Sequence, residues 1–307
     1  MLHTTQSPYD KRVKLRQALT QPGVLQFPGA FNPLSAKLIE RHGFDGVYIS
    51  GAVLSAELGL PDIGLTTLTE VSQRSQQVSR VTNLPTIVDA DTGFGEPMNV
   101  ARTVRIMEDA GVTGIHIEDQ VNPKRCGHLD GKSVVDRDTA IKRIRAAVDA
   151  RHDPNFLIIA RTDVRSIDGF NSARDRALEL QAAGADLIFP EALATVDEFS
   201  DMVSALDIPV LANMTEFGKS PLFHRDDLAE AGVKIIIYPV SLLRLAMGSA
   251  VRGLTALRED GHLESQVVHM QTRQELYDLV DYEEYNHFDS EVFNFTLDGH
   301  QHTDTTS

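Results

Sequence analysis

The stretch that decides the fold is EDAGVTGIHIE, residues Glu108–Glu118. It begins at the end of a polar segment with helical spacing. Gly111 follows, and after it comes a short run rich in isoleucine. Glycine is the residue expected just past a helix end, where the backbone turns left-handed. An apolar run that is too short for a helix and rich in β-branched residues is typical of a strand buried on both faces. The stretch therefore predicts a helix, a turn and a parallel strand.

The same pattern recurs around Gly43, Gly184 and Gly232, in ERHGFDGVYIS, QAAGADLIFPE and AEAGVKIIIYP. With the strand-like runs between these units, eight strand–helix repeats over roughly 250 residues predict an α/β fold of the (β/α)8 TIM-barrel type. A doubly wound open sheet is the competing fold, but no G-x-G-x-x-G fingerprint follows an early strand. The predicted strands are Val24–Phe27, Val47–Ser50, Thr86–Asp91, Gly114–Glu118, Phe156–Arg161, Asp186–Pro190, Pro209–Asn213 and Lys234–Pro239.

Beyond the eighth strand the pattern predicts two further segments. Residues 1–260 form the barrel with its N-terminal helix, and residues 261–290 form an amphipathic helical extension. The apolar face of the extension must pack on a neighbouring subunit or on its own barrel. Residues 291–307 are expected to be a disordered tail, because the stretch after Phe295 has no Lys or Arg and little hydrophobicity. The apolar positions of the extension are Val267, Met270, Leu276 and Val280.

Composition excludes some classes of protein and partner. The 307 residues carry 29 basic and 44 acidic side chains, a net charge of −15, which disfavours a nucleic-acid-binding protein. The single cysteine cannot form an internal disulfide, and this favours a reducing compartment. The N-terminus has no apolar signal region, and no run has the length of a membrane span. We expect a cytoplasmic protein with no membrane partner, with a cleaved organelle-targeting segment as the alternative.

The run VDADTGFG, residues 88–95, carries the strongest local signal for a metal site. Asp89 and Asp91 are two residues apart on the predicted strand, so we expect them to share a face. Two like charges at close range repel each other unless a cation neutralises them, and carboxylate oxygens suit Mg²⁺ or Mn²⁺. Glu118, at the end of the next strand, can hold a metal-bound water. The alternative is a pair of turn aspartates that cap a helix.

Other polar residues lie at or after strand ends, where the active sites of this barrel fold gather. Arg161 and Arg244 present planar guanidinium groups that match carboxylates. Arg273 lies in the extension, where an exposed helical arginine is the equally weighted alternative. His116 shares a face with Glu118, and we expect it to be an internal, hydrogen-bonded histidine. The other residues at these ends are Ser50, Gly51, Asp119, Thr162, Asp163, Glu191, Asn213 and Thr215.

The lone cysteine, Cys126, lies in PKRCGH, residues 123–128, in a loop after the fourth strand. A buried structural cysteine is the commonest case, but Lys124, Arg125 and His128 are not core residues. Positive charges nearby would lower the pKa of the thiol and favour the thiolate. A cysteine on such a loop can act as a nucleophile or as an acid–base group, and the residues alone leave this open.

Taken together, these residues resemble the isocitrate lyase and phosphoenolpyruvate mutase superfamily, and within it the methylisocitrate lyase family. The resemblance runs from about Gln26 to Tyr285. The form KRCGH is similar to that of methylisocitrate lyases, whereas isocitrate lyases have Lys in place of Arg125 and are longer. The motifs that carry the resemblance are YISG, GLPD, VDADTGFG, HIEDQ, KRCGH, ARTD, FPEA, LANMTEFG and MQTRQELY.

The resemblance implies Mg²⁺-dependent retro-aldol cleavage of 2-methylisocitrate, a small tricarboxylate, to pyruvate and succinate in the methylcitrate route of propionate breakdown. It implies that Asp89 and Asp91 hold the metal and that Cys126 protonates the departing carbon. Lys124, Arg125 and His128 tune this thiol, and Tyr48 is a candidate for the base that takes the hydroxyl proton. The implied substrate-binding residues are Ser50, Gly51, Ala52, Cys126, Gly127, Arg161, Glu191, Asn213, Met214, Thr215, Arg244 and Arg273.

The resemblance also implies a homotetramer in which C-terminal helices are exchanged between subunits.

Two residues depart from the pattern of the family. Related enzymes often have a second glycine where Ala52 stands, and Met214 differs from the usual middle residue of its motif. Phe189 and Ile237 are expected to line a pocket for the extra methyl group. Two rival functions stay open: a related lyase acting on isocitrate or 2,3-dimethylmalate, and a non-catalytic barrel with a binding role.

Overall fold

A computed structural model describes residues 4–125 and 131–294. It contains eight short parallel strands, each followed by helical structure. The strands are β1 Leu25–Pro28, β2 Val47–Ile49, β3 Thr86–Asp89, β4 Gly114–Glu118, β5 Leu157–Thr162, β6 Leu187–Pro190, β7 Leu211–Asn213 and β8 Ile235–Tyr238. The α-helices are α1 Pro8–Thr20, α2 Pro33–Arg41, α3 Gly51–Glu57, α4 Leu68–Ser79, α5 Pro97–Asp109, α6 Arg137–Ala150, α7 Arg165–Ala182, α8 Val196–Ala205, α9 Arg225–Glu230, α10 Ser241–Asp260, α11 Arg273–Leu279 and α12 Tyr282–Phe293.

The eight strands form a closed barrel. One ladder runs in the order β2-β3-β4-β5-β6, and a second in the order β1-β8-β7. Parallel bridges join the two ladders on both sides, between Gly29 and Tyr48 and between Ile188 and Val210. The predicted barrel is confirmed, because every strand has a parallel neighbour on each side.

The barrel has two hydrophobic cores, as the period-two alternation of strand side chains requires. One lies between the strands and the surrounding helices and includes Val88, Ile115 and Ile158. The other fills the barrel interior. Its members include Phe27, Tyr48, Ile87, Leu157, Ile159, Leu187, Phe189, Leu211, Ile235 and Ile237.

The glycines of the repeated pattern act as helix stops. Gly111, which ends the unit quoted first, has a φ of +79°, and Gly43, Gly184 and Gly232 also have positive φ. Residues with a Cβ rarely adopt this backbone region, so the four helices end at the predicted places.

Helix α1 covers the N-terminal end of the barrel. Leu15 packs into the interior core. Around it, basic side chains donate to backbone carbonyls at the same end: Lys11 to Ser79 and Thr82, and Arg12 to Val112 and Glu108. The interior is therefore closed at this end by apolar side chains of α1, Leu15 and Leu19, and by basic side chains that surround them.

Helix α10 leaves the barrel surface after β8. Ala256 is the one buried residue of α10, all of which the structure describes. Its large apolar side chains, which include Leu245, Val251 and Leu254, are exposed in the single chain. Unlike the other barrel helices, α10 makes almost no core of its own.

The extension after α10 differs from the single amphipathic segment expected. A 3-10 turn at Glu264–His269 comes first, and α11 and α12 follow it as separate helices. The extension packs partly on its own chain, since Leu279 is buried, Lys37 pairs with Asp281 at 2.6 Å, and Arg41 donates to the carbonyl of Asp278. The predicted disordered tail started at residue 291, but α12 continues to Phe293; residues 295–307 lie outside the described residues.

Among residues 4–125 and 131–294, none of the helices combines the length and the hydropathy that a bilayer crossing requires.

Candidate active site

A cavity of about 230 Å³ opens at the C-terminal ends of the strands. This is the end of the barrel at which the loops after the strands meet and active sites form. Ten of the site residues predicted from the sequence line it. They are Tyr48, Ser50, Ala52, Asp89, Lys124, Arg161, Glu191, Asn213, Thr215 and Arg244, joined by Asp62, Phe189, Glu216, Phe217, Gly218, Pro239 and Val240.

Asp89 lines one wall of the cavity, whereas Asp91, which is also buried, does not line it. The two carboxylates do not share a strand face as expected. Strand β3 ends at Asp89, and Asp91 follows it with a φ of +48°. The left-handed turn brings the backbone N–H of Asp91 to Asp89 Oδ1, at 3.0 Å. The N–H of Gly51 donates to the other oxygen of Asp89 at 3.2 Å, and a Cβ on Gly51 would lie only 2.9 Å from that oxygen. The pair is therefore held by a turn and by two backbone donors.

Lys124 lies against these carboxylates. Its Nζ is 2.7 Å from Asp91 Oδ1 and 2.5 Å from Asp62 Oδ1, and the side chain is buried. Burial alone would lower the pKa of Lys124, but the surrounding carboxylates, led by Asp91, outweigh it and raise this pKa well above its usual value. Lys124 was predicted to tune the cysteine; in the structure its described partners are carboxylates. Asp62 was missed, although it belongs to the motif GLPD.

Glu118 lies at the end of β4 behind the carboxylate pair. Among the described residues, neither of its carboxylate oxygens has a hydrogen-bond donor, although Arg161 Nε lies 3.3 Å away. Burial raises the pKa of Glu118 well above its usual value. Buried oxygens without donors indicate that something outside this chain, such as an ordered water, completes the site.

Arg161, at the end of β5, lies among carboxylates. Its Nε and Nη2 donate to Asp163 at 3.0 and 3.2 Å, and Nη2 lies 3.1 Å from Glu191 Oε2. The guanidinium carbon is 5.1 Å from the centre of the Phe189 ring, a cation–π distance. Among the described residues, Nη1 makes no hydrogen bond, so it is available for an anionic ligand.

Tyr48 and His116 pair inside the barrel mouth. The phenolic oxygen lies 2.6 Å from His116 Nε2, and the two rings stack. Burial lowers the pKa of His116 to about 4, so the imidazole is neutral near pH 7. Burial also raises the pKa of Tyr48 well above its usual value. The prediction of an internal, hydrogen-bonded His116 is confirmed, and Tyr48 is a protonated phenol rather than a ready base.

The other wall of the cavity follows strands β7 and β8. Arg244 Nη1 donates to Thr215 Oγ1 at 3.0 Å and to Glu216 Oε2 at 2.9 Å. Its guanidinium lies 5.4 Å from the ring of Phe217, which is 95% exposed and has a φ of +61°. A bulky residue at positive φ is uncommon and is found most often at functional sites. Phe217 was missed from the sequence, since no spacing marks a strained loop.

Comparison with known proteins identifies the family. A family model described as phosphoenolpyruvate phosphomutase matches residues 15–258. The probable 2-methylisocitrate lyase 2 of Corynebacterium glutamicum is 54% identical over 295 residues, which are 96% of this chain and 96% of that protein. The chain belongs to the methylisocitrate lyase family. The family predicted from the motifs is therefore confirmed.

Other members of this superfamily agree. The 2-methylisocitrate lyase of Escherichia coli K12 is 44% identical, over 88% of this chain and 92% of that one. The crystal structure of 2,3-dimethylmalate lyase, a member of the phosphoenolpyruvate mutase/isocitrate lyase superfamily, matches with a TM-score of 0.85 and 34% identity, covering 97% and 99% of the two chains. A phosphonopyruvate hydrolase solved with oxalate and Mg²⁺ matches with a TM-score of 0.84 and 29% identity, covering 92% and 99%.

The donors present fit a magnesium ion of the kind seen in that relative. In the described part of the chain, no group of three or more His, Cys, Asp or Glu side chains forms a complete ligand set. Mg²⁺ does not need one, because it usually keeps several waters and takes one or two protein carboxylates plus substrate oxygens. Asp89 and Asp91 supply the carboxylates, and the donor-free oxygens of Glu118 can accept from a metal-bound water.

Some predicted site residues of this family member do not reach the cavity. Met214 uses its N–H to donate to the carbonyl of Ile237 and its sulfur to accept from Phe223, so its backbone N–H is not free for a ligand. The described atoms of Arg125 bond to Gln120 through the backbone, and Arg125 does not line the cavity. Arg273 is exposed on α11 and does not line the cavity of its own chain. Cys126, Gly127 and His128 lie outside the described residues.

Proposed function

We propose that this chain cleaves 2-methylisocitrate to pyruvate and succinate. The observation that carries the proposal is one cavity lined by Asp89, the partner of the buried Asp91, together with two arginines, Arg161 and Arg244. A tricarboxylate in an acidic protein needs locally supplied positive charge, and this cavity supplies it. The proposal is supported by curated 2-methylisocitrate lyases that are 40–54% identical over most of the chain.

Asp89 and Asp91 would hold Mg²⁺, or Mn²⁺, with Glu118 in support through water. When bound, the ion neutralises the paired carboxylates and polarises a carbonyl or alkoxide oxygen of the substrate.

The chain's own residues bind and orient the substrate carboxylates. Ser50 and Ala52 begin α3, whose N-terminal N–H groups favour an anion. Arg161 offers Nη1, while Glu191 and Asp163 fix the other side of its guanidinium. Across the cavity, Asn213, Thr215 and Arg244 suit the carboxylates of the portion that leaves as succinate. Arg244 donates to Thr215, and Asn213 donates to Glu191, and these hydrogen bonds set their positions.

Two proton transfers complete the reaction. The substrate hydroxyl loses its proton as the carbon–carbon bond breaks, and the bonding electrons pass to the carbon that becomes the CH₂ of succinate. We assign delivery of a proton to that carbon to Cys126, whose thiol becomes a thiolate. Tyr48 hydrogen-bonds the reacting oxygens as a phenol, and the group that takes the hydroxyl proton stays unassigned.

Phe189 is proposed to contact the extra methyl group of the substrate. It is fully buried in the interior core and yet lines the cavity, together with Pro239 and Val240. Ile237 was expected beside it but lies in the interior core and does not line the cavity. One methyl group is worth only about 1–3 kcal/mol of discrimination, so activity on related acids is expected to overlap.

A comparison of substrates tests the proposal. Synthetic 2-methylisocitrate, isocitrate and 2,3-dimethylmalate would be supplied with Mg²⁺, and again with chelator, and the products identified. We expect 2-methylisocitrate to give the highest kcat/KM and pyruvate plus succinate, and chelator to stop turnover. A higher kcat/KM for 2,3-dimethylmalate would favour the second candidate, which the structural match to that lyase supports. No turnover and no Mg²⁺-dependent binding of pyruvate or succinate would favour a non-catalytic barrel.

We also place this reaction in the cytoplasm, as the last step of the methylcitrate route of propionate breakdown. The support is chemical: the one cysteine of the chain must stay a thiol to act as an acid, and reducing compartments keep thiols reduced.

We propose that the chain assembles as a homotetramer in which α10 is exchanged between subunits. An apolar groove lies on the barrel exterior between β1, β8 and α2, lined by Pro28, Leu38, Phe44, Tyr238 and Leu242 among others. In a barrel this is where the helix after the eighth strand packs, but here α10 leaves it with its own apolar face exposed. If two copies of the chain exchange α10, the apolar face of each helix packs in the groove of the other copy, and both apolar surfaces are buried.

The exchange gives a role to Arg273. It lies exposed at the start of α11 and away from the cavity of its own chain. We propose that the assembly brings it to a neighbouring subunit's cavity, where it completes the predicted set of carboxylate-binding arginines.

A further inference from the structure

A buried lysine, Lys132, lies behind Arg161 and has no part in the reaction proposed above. Its side chain is 2% exposed, and its Nζ donates to Asp163 Oδ1 at 2.7 Å. Asp163, with its side chain 0% exposed, also accepts from Nε and Nη2 of Arg161. One carboxylate is therefore shared by an ammonium group and the guanidinium group that faces the cavity.

Arg161 is surrounded by more negative charge than it can neutralise. Besides Asp163, it lies 3.1 Å from Glu191 and 3.3 Å from Glu118. Charge-assisted hydrogen bonds of this kind are the strong ones, and they compete with any carboxylate of an incoming ligand. A second cation on Asp163 reduces the attraction between that carboxylate and the guanidinium.

Asp163 cannot move to follow Arg161. Its backbone N–H donates to Asp119 Oδ1 at 2.9 Å. Asp119 is itself held by Thr162 Oγ1 at 2.8 Å and by Arg176 Nη1 at 2.9 Å. The backbone at Asp163 is thus held in place, and Lys132 shares Oδ1 of this carboxylate with Nη2 of Arg161.

We propose that Lys132 is a positioning residue for Arg161. By sharing Asp163, it keeps the guanidinium from being drawn fully onto that carboxylate and leaves Nη1 directed to a substrate carboxylate. This inference rests on the proposed function, because it requires Arg161 to bind an anionic substrate.

The test compares two substitutions in the full-length protein with Mg²⁺. In Lys132→Met we expect KM for 2-methylisocitrate to rise about tenfold or more, the scale of one misplaced charge-assisted hydrogen bond, with a smaller change in kcat. The dissociation constant of oxalate, measured by calorimetry, should rise in parallel. Lys132→Arg keeps a cation beside Asp163 and should return both values toward those of the wild type.

Two further variants separate positioning from folding. Asp163→Asn removes the carboxylate charge that would draw Arg161 away from the cavity, so it should lower thermal stability, because Lys132 loses this counter-charge, without raising KM as Lys132→Met does. Lys11→Met removes another buried lysine at the opposite end of the barrel, and it should lose stability with KM unchanged.

Unchanged KM and oxalate affinity in Lys132→Met would overturn the inference, and so would an Asp163→Asn variant whose KM rises as much as that of Lys132→Met. If the wild type turned over no substrate, the proposed function would fail, and oxalate affinity alone would then decide the role of Lys132.

Discussion

Cys126 is the residue on which the proposed proton delivery depends. In Cys126→Ser we expect kcat to fall by about 10²–10⁴-fold, because a hydroxyl is a far weaker acid than a thiol and positioned acid–base groups contribute on that scale. The thermal unfolding midpoint and the Mg²⁺ affinity should not change. Retention of most of the activity would remove Cys126 from its role as the acid.

Asp89 tests the metal assignment. Asp89→Ala removes one carboxylate and the acceptor of two backbone N–H groups, so Mg²⁺ affinity should fall by more than about a hundredfold, since losing outer-shell partners alone costs 10–100-fold. Asp109→Ala, an exposed carboxylate at the end of α5, is the matched control. Equal Mg²⁺ affinities in the two variants, by calorimetry, would contradict the assignment.

At this scale the sequence locates residues better than it locates their partners. The positions of four residues were predictable, because each lies at or next to the end of a strand and strand ends converge in a barrel: Asp89, Glu118, Arg161 and Glu191. The contact of Lys124 with Asp62 was not, since it joins two loops 62 residues apart in the sequence with no periodicity between them. The prediction that Asp91 shares a strand face with Asp89 was wrong, because the strand ends at Asp89 and the backbone of Asp91 has a positive φ.

Helix α1 gives a prediction at the scale of an element. Burial lowers the pKa of Lys11 to about 8, against the opposing charge of Glu40, while the pKa in the unfolded chain is near 10.5. Between pH 8 and 10.5 the unfolded state therefore binds more protons, so this residue's contribution to stability rises with pH. We expect the stability of the wild type relative to Lys11→Met, from denaturant unfolding at several pH values, to increase across this window. A constant difference would mean that the ammonium is not desolvated.

The elements themselves were largely predictable. Each unit is visible in the sequence as a segment with helical spacing, a glycine and a short apolar run. The structure has eight strands within a few residues of those expected. The attachment of α1 leaves no such trace. It depends on Lys11, Arg12 and Arg16 donating to backbone carbonyls, and every residue has a carbonyl, so no pattern marks the acceptors.

Assembly is the prediction that belongs to the whole molecule. We expect the wild type to sediment as a tetramer, and Leu254→Glu on the exposed apolar face of α10 to give smaller species, because a charge in the groove would be desolvated without a partner. Glu259→Gln, on the same helix and also exposed, should leave the tetramer intact. A Leu254→Glu variant that remains tetrameric would show that α10 is not the exchanged element.

The seal that Leu15 and α1 place on one end of the barrel has a kinetic consequence. Substrate and both products must use the single mouth at the other end, so the two fragments leave in sequence. The fragment beside Asp89 and Asp91 lies deeper than the fragment beside the half-exposed Arg244, and it leaves last. Pyruvate should therefore inhibit competitively against 2-methylisocitrate and succinate noncompetitively, which steady-state product-inhibition kinetics would check.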